Sequence, residues 1–333
     1  MKEISVTSSL LSCLSYTSQR VGDAVADDKP VDNPEDESED PWEKWRRAGV
    51  VAREALDLAR PMVEPGTKVI DLIDIVENHI REHSSGTSFP CNVSLNNVAA
   101  HYTSRINDET VIEEGDLVTV DCGSHVDGCI ADTAFTIALN PDHEALVKAS
   151  VDSTNMAIKM MRPGAKLNTI GALIEDTITS AGFQPVKQLS GHQLNEYELH
   201  SDKQVPCVSG KSEVLVEEGE VYAIETFAST GSGNITDLPR PLIYQLLPIR
   251  VPVRFKGTRQ FLGIARKEYK EFPFAERWMA ERMNHGSLKM AINELKKNGA
   301  LFPHHVLAEE KGEFVSQHEH TIIITEKSRE QTT

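Results

Sequence analysis

The sequence has few cysteines and few aromatic residues, and it lacks any long apolar run. Its five cysteines form no CxxC pair, and an odd number of them is typical of a reduced, cytoplasmic protein. No apolar segment approaches the roughly 18–20 residues that a membrane-spanning helix needs. Glu3 and several serines near the start do not fit a signal peptide. We therefore expect a cytoplasmic protein without a membrane partner.

Positive charge is also scarce. The 34 lysines and arginines against 51 aspartates and glutamates give a net charge of −17, with a pI near 5.2. Such a chain is repelled by polyanions, so we expect no nucleic-acid partner. The length of 333 residues with 39% hydrophobic content is sufficient for one large core or two domains.

The beginning of the chain differs in composition from the rest. Residues 1–41 show no helical or strand periodicity and end in the acidic stretch DDKPVDNPEDESEDP, which predicts a disordered tail. The next stretch, WEKWRRAGVVAREALDLARP, has the pattern of an amphipathic helix that ends at Pro61. We therefore expect a folded domain at residues 42–333 that follows a tail at residues 1–41.

An internal repeat divides this domain into two halves. PGTKV at 65–69 and PGAKL at 163–167 each open a helical segment, while EEGDLV at 113–118 and EEGEVY at 217–222 each lead into a strand. The predicted order of elements in each half is helix, strand, strand. We expect the sheets of the two halves to pack together about a pseudo-two-fold axis. Residues from about 255 to 299 are predicted to be a helical insertion before a final strand, and 326–333 a frayed end.

Acidic residues interrupt the apolar strands. Asp121 and Asp132 lie in two β-branched runs joined by a predicted turn at 125–128. If the turn is centred between Val126 and Asp127, the two carboxylates face each other, with Cβ atoms about 4.5–5.5 Å apart. The alternative is that both simply face solvent. If they are buried, a divalent cation is expected between them, because unpaired buried charges are costly.

Further candidates lie in other segments. Glu225 occupies the place of Asp121 in the second copy of the repeat, and Glu319 interrupts the final strand. His192 lies in a glycine-containing loop, and His101 lies just ahead of the first strand. Four carboxylates and an imidazole suit two divalent ions that lie about 3.5 Å apart and share bridging carboxylates. The residues therefore indicate a dinuclear metal hydrolase.

The motifs resemble those of type 2 methionine aminopeptidases, the group of archaea and eukaryotes. The resemblance covers about residues 45–325 and rests on FPCNVSLNNVAAHYT, VTVDCGSHVDGCIADTAFT, LSGHQLNEYELH, EGEVYAIETFASTGSG and VSQHEHTIII. It implies an α/β (α+β) pita-bread fold with two pseudo-two-fold related halves and a helical inserted subdomain. It also implies removal of N-terminal methionine from nascent polypeptides when the second residue is small, by a monomer, with the ribosome as a candidate place of action.

The resemblance also implies roles for individual residues. Asp121 binds one metal, His192 and Glu225 bind the second, and Asp132 and Glu319 bridge both. The ions implied are two divalent metals per subunit, chosen from cobalt, manganese, iron and zinc. The implied catalytic and substrate-binding residues, including those beside the methionine pocket, are Glu225, His101, His200, Phe89, Phe227, Leu199 and Phe314.

The remaining histidines are expected to be structural or exposed. His318 and His320 flank Glu319, so strand alternation points them to the opposite face of the sheet. His304 and His305 follow a proline in a predicted loop and are expected to be solvated.

Two other functions stay open on the same fold. The first is an Xaa-Pro peptidase of the prolidase or aminopeptidase P type; such relatives usually have a large extra N-terminal domain and are not expected to have the insertion. The second is a non-catalytic binding protein, which the complete set of ligand side chains disfavours.

Overall fold

The structure, a computed structural model, describes residues 40–333, so nearly all of the predicted tail lies outside it. The helices are α1 (Glu43–Ala59), α2 (Val69–His83), α3 (Glu144–Met160), α4 (Leu167–Ser180), α5 (Lys256–Glu268), α6 (Glu276–Ala280) and α7 (His285–Lys297). The strands are β1 (Gly86–Leu95), β2 (Val98–Ala100), β3 (Leu117–Val126), β4 (Cys129–Ala138), β5 (Gln184–Pro185), β6 (Ser190–Leu194), β7 (Gln204–Pro206), β8 (Val221–Ser229), β9 (Thr236–Asp237), β10 (Ile243–Leu246), β11 (Phe274–Ala275), β12 (Leu301–His304), β13 (Leu307–Ala308), β14 (Val315–Ile324) and β15 (Arg329–Gln331). None of these helices is both long and apolar enough to cross a lipid bilayer.

One nine-stranded sheet unites the two halves of the repeat. Its order is β1-β3-β4-β14-β8-β6-β7, with β15 beside β14 and β5 beside β8. The halves join edge to edge, where Glu319 of β14 pairs with Ala134 of β4. Helices α1 and α2 pack on the first half, and α3 and α4 pack on the second. One face of the sheet is thereby covered, and residues from both halves meet on the other.

The predicted repeat has the same local geometry in both copies. Gly66 and Gly164 have φ of +96° and +81°, which glycine adopts readily, and each precedes a helix by a few residues. Helix α2 buries Val69, Leu72, Ile73, Val76 and Ile80, a spacing that places all five on one face. Helix α4 does the same with Leu167, Ile170, Ile174 and Ile178.

The helical insertion has a sheet of its own. Helices α5, α6 and α7 lie between residues 256 and 297, as the pattern predicted, and they surround a separate apolar core. Strands β10, β11 and β12 form a three-stranded sheet beside them. The sequence pattern missed this sheet, because its strands are only two to four residues long.

The chain end is ordered, contrary to the expected fraying. Strand β15 pairs with β14, and Thr332 and Thr333 are buried. A Cβ atom on Gly49 would lie 2.3 Å from the Thr332 carbonyl oxygen, so α1 contacts this segment closely. The Thr333 hydroxyl accepts a hydrogen bond from the Thr321 backbone N–H at 3.0 Å. This segment therefore belongs to the core.

A buried ion pair ties the insertion to the first half. The Glu77 carboxylate of α2, 1% exposed, pairs with Arg277 of α6 and accepts hydrogen bonds from Trp278 Nε1 at 2.8 Å and Arg81 Nη2 at 2.8 Å. It also accepts one from the Cys91 backbone N–H at 3.1 Å.

Replacing Glu77 with alanine should destabilise the fold strongly. Glu77→Ala leaves the Arg277 guanidinium buried without its partner, which typically costs about 3–5 kcal/mol. We expect this loss in the free energy of unfolding measured with urea. The control is Glu54→Ala, which removes a carboxylate that is 50% exposed and lies 3.4 Å from His79 Nε2. Its free energy of unfolding should fall by less than about 1 kcal/mol, because exposed ion pairs contribute little. Equal losses in both variants would contradict the anchoring role.

Candidate metal centre

The β3–β4 hairpin has a different register from the one the sequence suggested. Val126 pairs with Cys129, so the turn consists of Asp127 and Gly128, whose φ values of +51° and +97° are those of a type I′ turn. Asp121 therefore faces Ala134, and Asp132 faces Gly123. The predicted direct opposition of the two aspartates was wrong by two residues. They are diagonal neighbours on one face, a separation that long side chains or a shared ion can span.

The second half supplies the other ligands on the same face. Glu225 of β8 pairs directly with Glu319 of β14, and His192 of β6 pairs with Ala223 of β8. His192 Nε2 lies 3.8 Å from Asp132 Oδ2 and 3.8 Å from Glu225 Oε1. Ligand atoms of Asp132, His192 and Glu319 all lie within 4.8 Å of one another. Four of the five predicted ligands therefore converge, and Asp121 adjoins them across the hairpin.

The site concentrates negative charge in a buried place. Burial raises the pKa of Asp121 to about 7. Burial and then the neighbouring carboxylates raise the pKa values of Asp132, Glu225 and Glu319 well above their usual range. Burial and then His200 lower the pKa of His192 well below 6.5. Within residues 40–333 no lysine or arginine pairs with these carboxylates, so protons or cations must neutralise them.

The residues fit a pair of divalent ions. Asp121 Oδ1 and Asp132 Oδ1 are buried and have no hydrogen-bond partner among the described residues. Such orphaned carboxylate oxygens beside a neutral imidazole are the donors that borderline divalent ions prefer. Asp121 and Glu225 are partly accessible, whereas Asp132, His192 and Glu319 are at most 4% exposed. The open side of the centre is therefore formed by Asp121 and Glu225.

Gln317 holds two of the acids in place, which the sequence did not reveal. Its Nε2 donates to Glu225 Oε2 and to Glu319 Oε2, both at 3.2 Å. It lies two residues before Glu319 on the same strand and hence on the same face. That spacing was the only signal available in the sequence.

Removing the Gln317 amide should weaken metal binding while the fold is retained. Groups that orient metal ligands typically contribute 10–100-fold in affinity. We therefore expect about that loss in Mn(II) affinity for Gln317→Ala by isothermal titration calorimetry. Gln193→Ala is the control, because Gln193 follows His192 but its side chain makes no hydrogen bond among the described residues. Unchanged affinity in Gln317→Ala would contradict the role.

A row of imidazoles leads away from the metal centre. The rings of His192 and His200 lie 4.3 Å apart, and those of His101 and His304 lie 5.6 Å apart, measured between centroids. Solvent reaches one side of His200, but burial among protein atoms and then His101 lower its pKa below 6.5. Burial likewise lowers the pKa of His101. Both imidazoles are therefore neutral near pH 7.

His101 is held in one orientation. Its φ of +64° is unusual for a residue with a side chain, and its Nδ1 lies 3.0 Å from the His305 carbonyl oxygen. In a neutral imidazole, Nδ1 must then be the donor, which leaves Nε2 as an acceptor.

The expectation that His304 is solvated was wrong. Its ring packs edge-on against His101 and Phe302, and burial lowers its pKa well below 6.5. Its Nε2 lies 3.2 Å from Gln245 Oε1. His304 is about 200 residues from His101 in sequence, so no local pattern could pair them.

Among the predicted pocket residues, Phe89 and Phe227 lie next to the metal ligands, whereas Phe314 does not. A Cβ atom on Gly123, which faces Asp132, would lie 2.3 Å from the Phe89 ring, so Phe89 packs directly beside the ligand. Phe227 is buried on the same face of β8 as Glu225. Phe314 instead faces the helices, with its ring 3.9 Å from that of His143. The expectation for Phe314 was wrong, because Phe314 lies one residue ahead of β14 and packs against the apolar core that α3 and α4 help to form. Leu199 packs in the same apolar cluster as Phe89.

The flanking histidines behave as strand alternation predicts. The rings of His318 and His320 lie 4.9 Å apart, and His320 Nδ1 lies 3.1 Å from the Thr333 hydroxyl. Both side chains therefore belong to the packing on the helix face.

Comparison with known proteins identifies the class to which this fold and site belong. The model of metallopeptidase family M24 matches residues 43–326, and the chain belongs to this family. Within the family it is similar to methionine aminopeptidases: that of Thermococcus onnurineus is 41% identical over 288 residues, which cover 86% of this chain and 97% of the relative. The resemblance read from the motifs, and with it the enzyme class of a metalloaminopeptidase, is confirmed.

Solved structures share the fold. A thermophilic Arx1 superimposes with a TM-score of 0.78 at 20% identity, covering 87% of this chain and 89% of the other. A methionine aminopeptidase from Thermotoga maritima does so with a TM-score of 0.63 at 22% identity, covering 87% and 95%. The predicted pita-bread fold is thereby confirmed.

Proposed function

We propose that the chain removes the N-terminal methionine from polypeptides whose second residue is small, by metal-assisted hydrolysis of the first peptide bond. The observation that carries the proposal is the convergence of the acids of both halves with His192 on one sheet face, in a chain 41% identical to a methionine aminopeptidase. We expect nascent polypeptides to be the substrates, in the cytoplasm or at the ribosome. We also expect the enzyme to be a monomer.

Five residues would hold two divalent ions: Asp121, Asp132, His192, Glu225 and Glu319. The positive charge of the ions would neutralise the buried carboxylates, two of which have an oxygen without a hydrogen-bond partner among the described residues. When bound, the ions would supply an activated water molecule and polarise the scissile carbonyl group. Cobalt, manganese, iron and zinc all suit this mixture of oxygen and imidazole donors.

Glu225 is the candidate general base. Its carboxylate lies on the open side of the centre and is held by the Gln317 amide at 3.2 Å. A carboxylate in this place can take a proton from the attacking water and deliver it to the leaving amine. A divalent ion held by Glu225 would favour the ionised carboxylate at neutral pH despite burial.

His101 and His200 would handle the scissile peptide differently. Because His101 donates from Nδ1 to the His305 carbonyl, its Nε2 can only accept, and the substrate N–H is the suitable donor. The ring of His200 makes no hydrogen bond within residues 40–333, so its N–H is free to donate to the carbonyl oxygen as negative charge develops there.

The apolar wall beside the ligands would receive the methionine side chain. Phe89, Phe227 and Leu199 are at most 8% exposed and offer only apolar surface. We expect Phe89 and Phe227 to contact the substrate directly.

Peptide cleavage tests the proposal. The chelator-stripped, Co(II)-reloaded protein should release methionine from Met-Ala-Ser at least about 100-fold faster than from Met-Leu-Ser, because a bulky second residue must be excluded near the scissile bond. Cleavage of Ala-Pro-Ser instead would favour the Xaa-Pro peptidase. Absence of any cleavage in a folded, metal-loaded protein would favour a binding function.

A further inference from the structure

The backbone ladder that joins the two halves of the large sheet is very short. Within residues 40–333, Glu319 of β14 and Ala134 of β4 are the only residues of these two strands that pair directly. By contrast, β3 pairs with β4, and β8 with β14, along almost the whole length of the strands. We call the boundary between β4 and β14 the seam. Because it separates the ligands of one half from those of the other, its geometry sets how the metal centre is assembled.

On one side of the directly paired residues, a threonine hydroxyl replaces the backbone ladder. The antiparallel register, continued by two residues, sets Thr321 of β14 opposite Asp132 of β4. The backbone groups of Thr321 bond instead to the end of the chain: its N–H donates to the Thr333 hydroxyl, and its carbonyl accepts from the Thr332 N–H, both at 3.0 Å. The Thr321 hydroxyl reaches β4 in their place. It accepts from the Asp132 N–H at 2.7 Å and donates to the Asp132 carbonyl oxygen at 2.8 Å.

The same arrangement occurs on the other side of the seam, with the two halves exchanged. Here the continued register sets Thr136 of β4 opposite Gln317 of β14. The Thr136 hydroxyl accepts from the Gln317 N–H at 3.0 Å and donates to the Gln317 carbonyl oxygen at 2.7 Å. Each half therefore contributes one hydroxyl that satisfies both backbone groups of a residue in the other half.

The internal repeat makes these two threonines equivalent. Asp121 and Glu225 occupy the same place in the two halves. Thr136 lies two residues beyond the register partner of Asp121, and Thr321 lies two residues beyond the register partner of Glu225. The pseudo-two-fold symmetry of the fold therefore relates the two hydroxyl bridges, which indicates that they belong to the way in which the halves are joined.

Both bridges act on residues of the metal centre. The Thr321 hydroxyl fixes the backbone of the ligand Asp132. The Thr136 hydroxyl fixes the backbone of Gln317, whose amide holds Glu225 and Glu319 at 3.2 Å. Thr136 and Thr321 are both buried. Loss of either hydroxyl would therefore leave a backbone N–H and a carbonyl group without partners in a place that water does not readily reach.

We propose that Thr136 and Thr321 are positioning residues, which hold the two halves of the sheet at the separation that the metal centre requires. The inference rests on the proposed function, because it takes the dinuclear centre as given. Strands joined by direct backbone hydrogen bonds lie about 4.8 Å apart. A hydroxyl group placed between two strands keeps them further apart, and this leaves room between Asp132 and Glu319 for a shared cation.

Valine variants of the full chain test the proposal, because valine resembles threonine in shape but lacks the hydroxyl. We expect Thr321→Val to bind Mn(II) about 10–100-fold more weakly than the parent by isothermal titration calorimetry, as is typical when a group that orients metal ligands is removed. Thr136→Val should show a loss of the same order, because the two bridges are equivalent. Thr321→Ser keeps the hydroxyl and should restore most of the affinity.

The visible absorption of the Co(II)-loaded protein gives a second readout, since it depends on the geometry of the ligands. We expect it to change in Thr321→Val and to stay as in the parent in Thr321→Ser. A role in stability alone would not alter this spectrum. If Thr321→Val does not fold, Thr136→Val and Thr136→Ser make the same comparison on the other side of the seam.

Thr154→Val is the matched control. The Thr154 hydroxyl is also buried and donates to the carbonyl oxygen of His318, the neighbour of Glu319, at 2.8 Å. It joins α3 to β14 within the second half, however, and does not cross the seam. We expect this variant to lose stability towards urea in chelator, as Thr321→Val does, but to bind Mn(II) with the affinity of the parent.

The possible failures can be told apart. Parent-like Mn(II) affinity in both seam valine variants, or an equal loss of affinity in Thr154→Val, would overturn the positioning role while the metal centre itself stands. A serine variant that binds as weakly as the valine variant would also overturn it. Absence of Mn(II) binding in the parent would instead overturn the metal centre, and the inference with it.

Discussion

Asp132→Asn should abolish methionine release, with a loss on the order of 10⁴-fold or more in kcat/KM, equivalent to roughly 5 kcal/mol. Asp132 lies 3.8 Å from His192 Nε2, and one of its own oxygens has no partner among the described residues. The amide has nearly the same shape but cannot supply two anionic oxygens between ions. We therefore expect the variant to retain less than the parent's metal content when both are dialysed against the same Mn(II) solution.

The stability of Asp132→Asn without metal shows whether Asp132 is a metal ligand or a structural residue. Without metal, Asp132 is a buried acid among other acids, and its pKa is raised well above its usual range. Removing the charge should leave the urea midpoint in chelator unchanged or higher. Asp127→Asn, in the exposed turn of the same hairpin, is the control and should keep activity within about twofold, since Asn-Gly also suits a type I′ turn. A chelated Asp132→Asn protein that unfolds more easily than its parent would indicate a structural role instead.

Metal removal should make stability depend on pH in an unusual direction. In chelator, the pKa of Asp121 is raised by burial from 3.8 to about 7, so the folded chain holds a proton that the unfolded chain has lost. The free energy of unfolding should therefore fall by several kcal/mol as pH rises from about 4 to about 7. Asp132, Glu225 and Glu319, whose pKa values are also raised, act in the same direction. Above that window the contribution of Asp121 should be constant.

Adding a divalent ion should reverse this trend. The ligands bind metal as carboxylates, so stabilisation by Mn(II) should grow with pH, reaching about 2.7 kcal/mol at 100 times the dissociation constant. Urea titrations of the chelated and loaded protein from about pH 5 to 8 measure both effects. Asp121→Asn should flatten the chelated profile, because it removes one titrating acid. Identical profiles for parent and variant would show that Asp121 is not a buried acid of this kind.

Local patterns were sufficient to predict most elements that carry the site. The apolar spacing of α2 and α4, and the acids that interrupt β3, β8 and β14, can be read directly from the chain. The repeated glycine motifs also indicated that two similar halves meet. Such features depend on residues close together in sequence, where periodicity and turn chemistry act.

The errors arose where distant segments meet or where a turn can be placed in two ways. The hairpin register was wrong because the Asp127-Gly128 pair itself occupies the two central positions of the turn. His304 and the Arg277–Glu77 pair were missed, because their partners are about 200 residues away. Only the tertiary fold reveals which polar groups become neighbours at such separations.

The most direct test of the account is methionine release from Met-Ala-Ser by the stripped protein as Co(II) or Mn(II) is added stepwise without oxygen. The proposed site predicts no release without metal, a rise with added ion, and no further rise beyond about two equivalents per chain. The same titration of Asp132→Asn should stay flat. Full release by the stripped protein, or an equal rise in the variant, would contradict the dinuclear site.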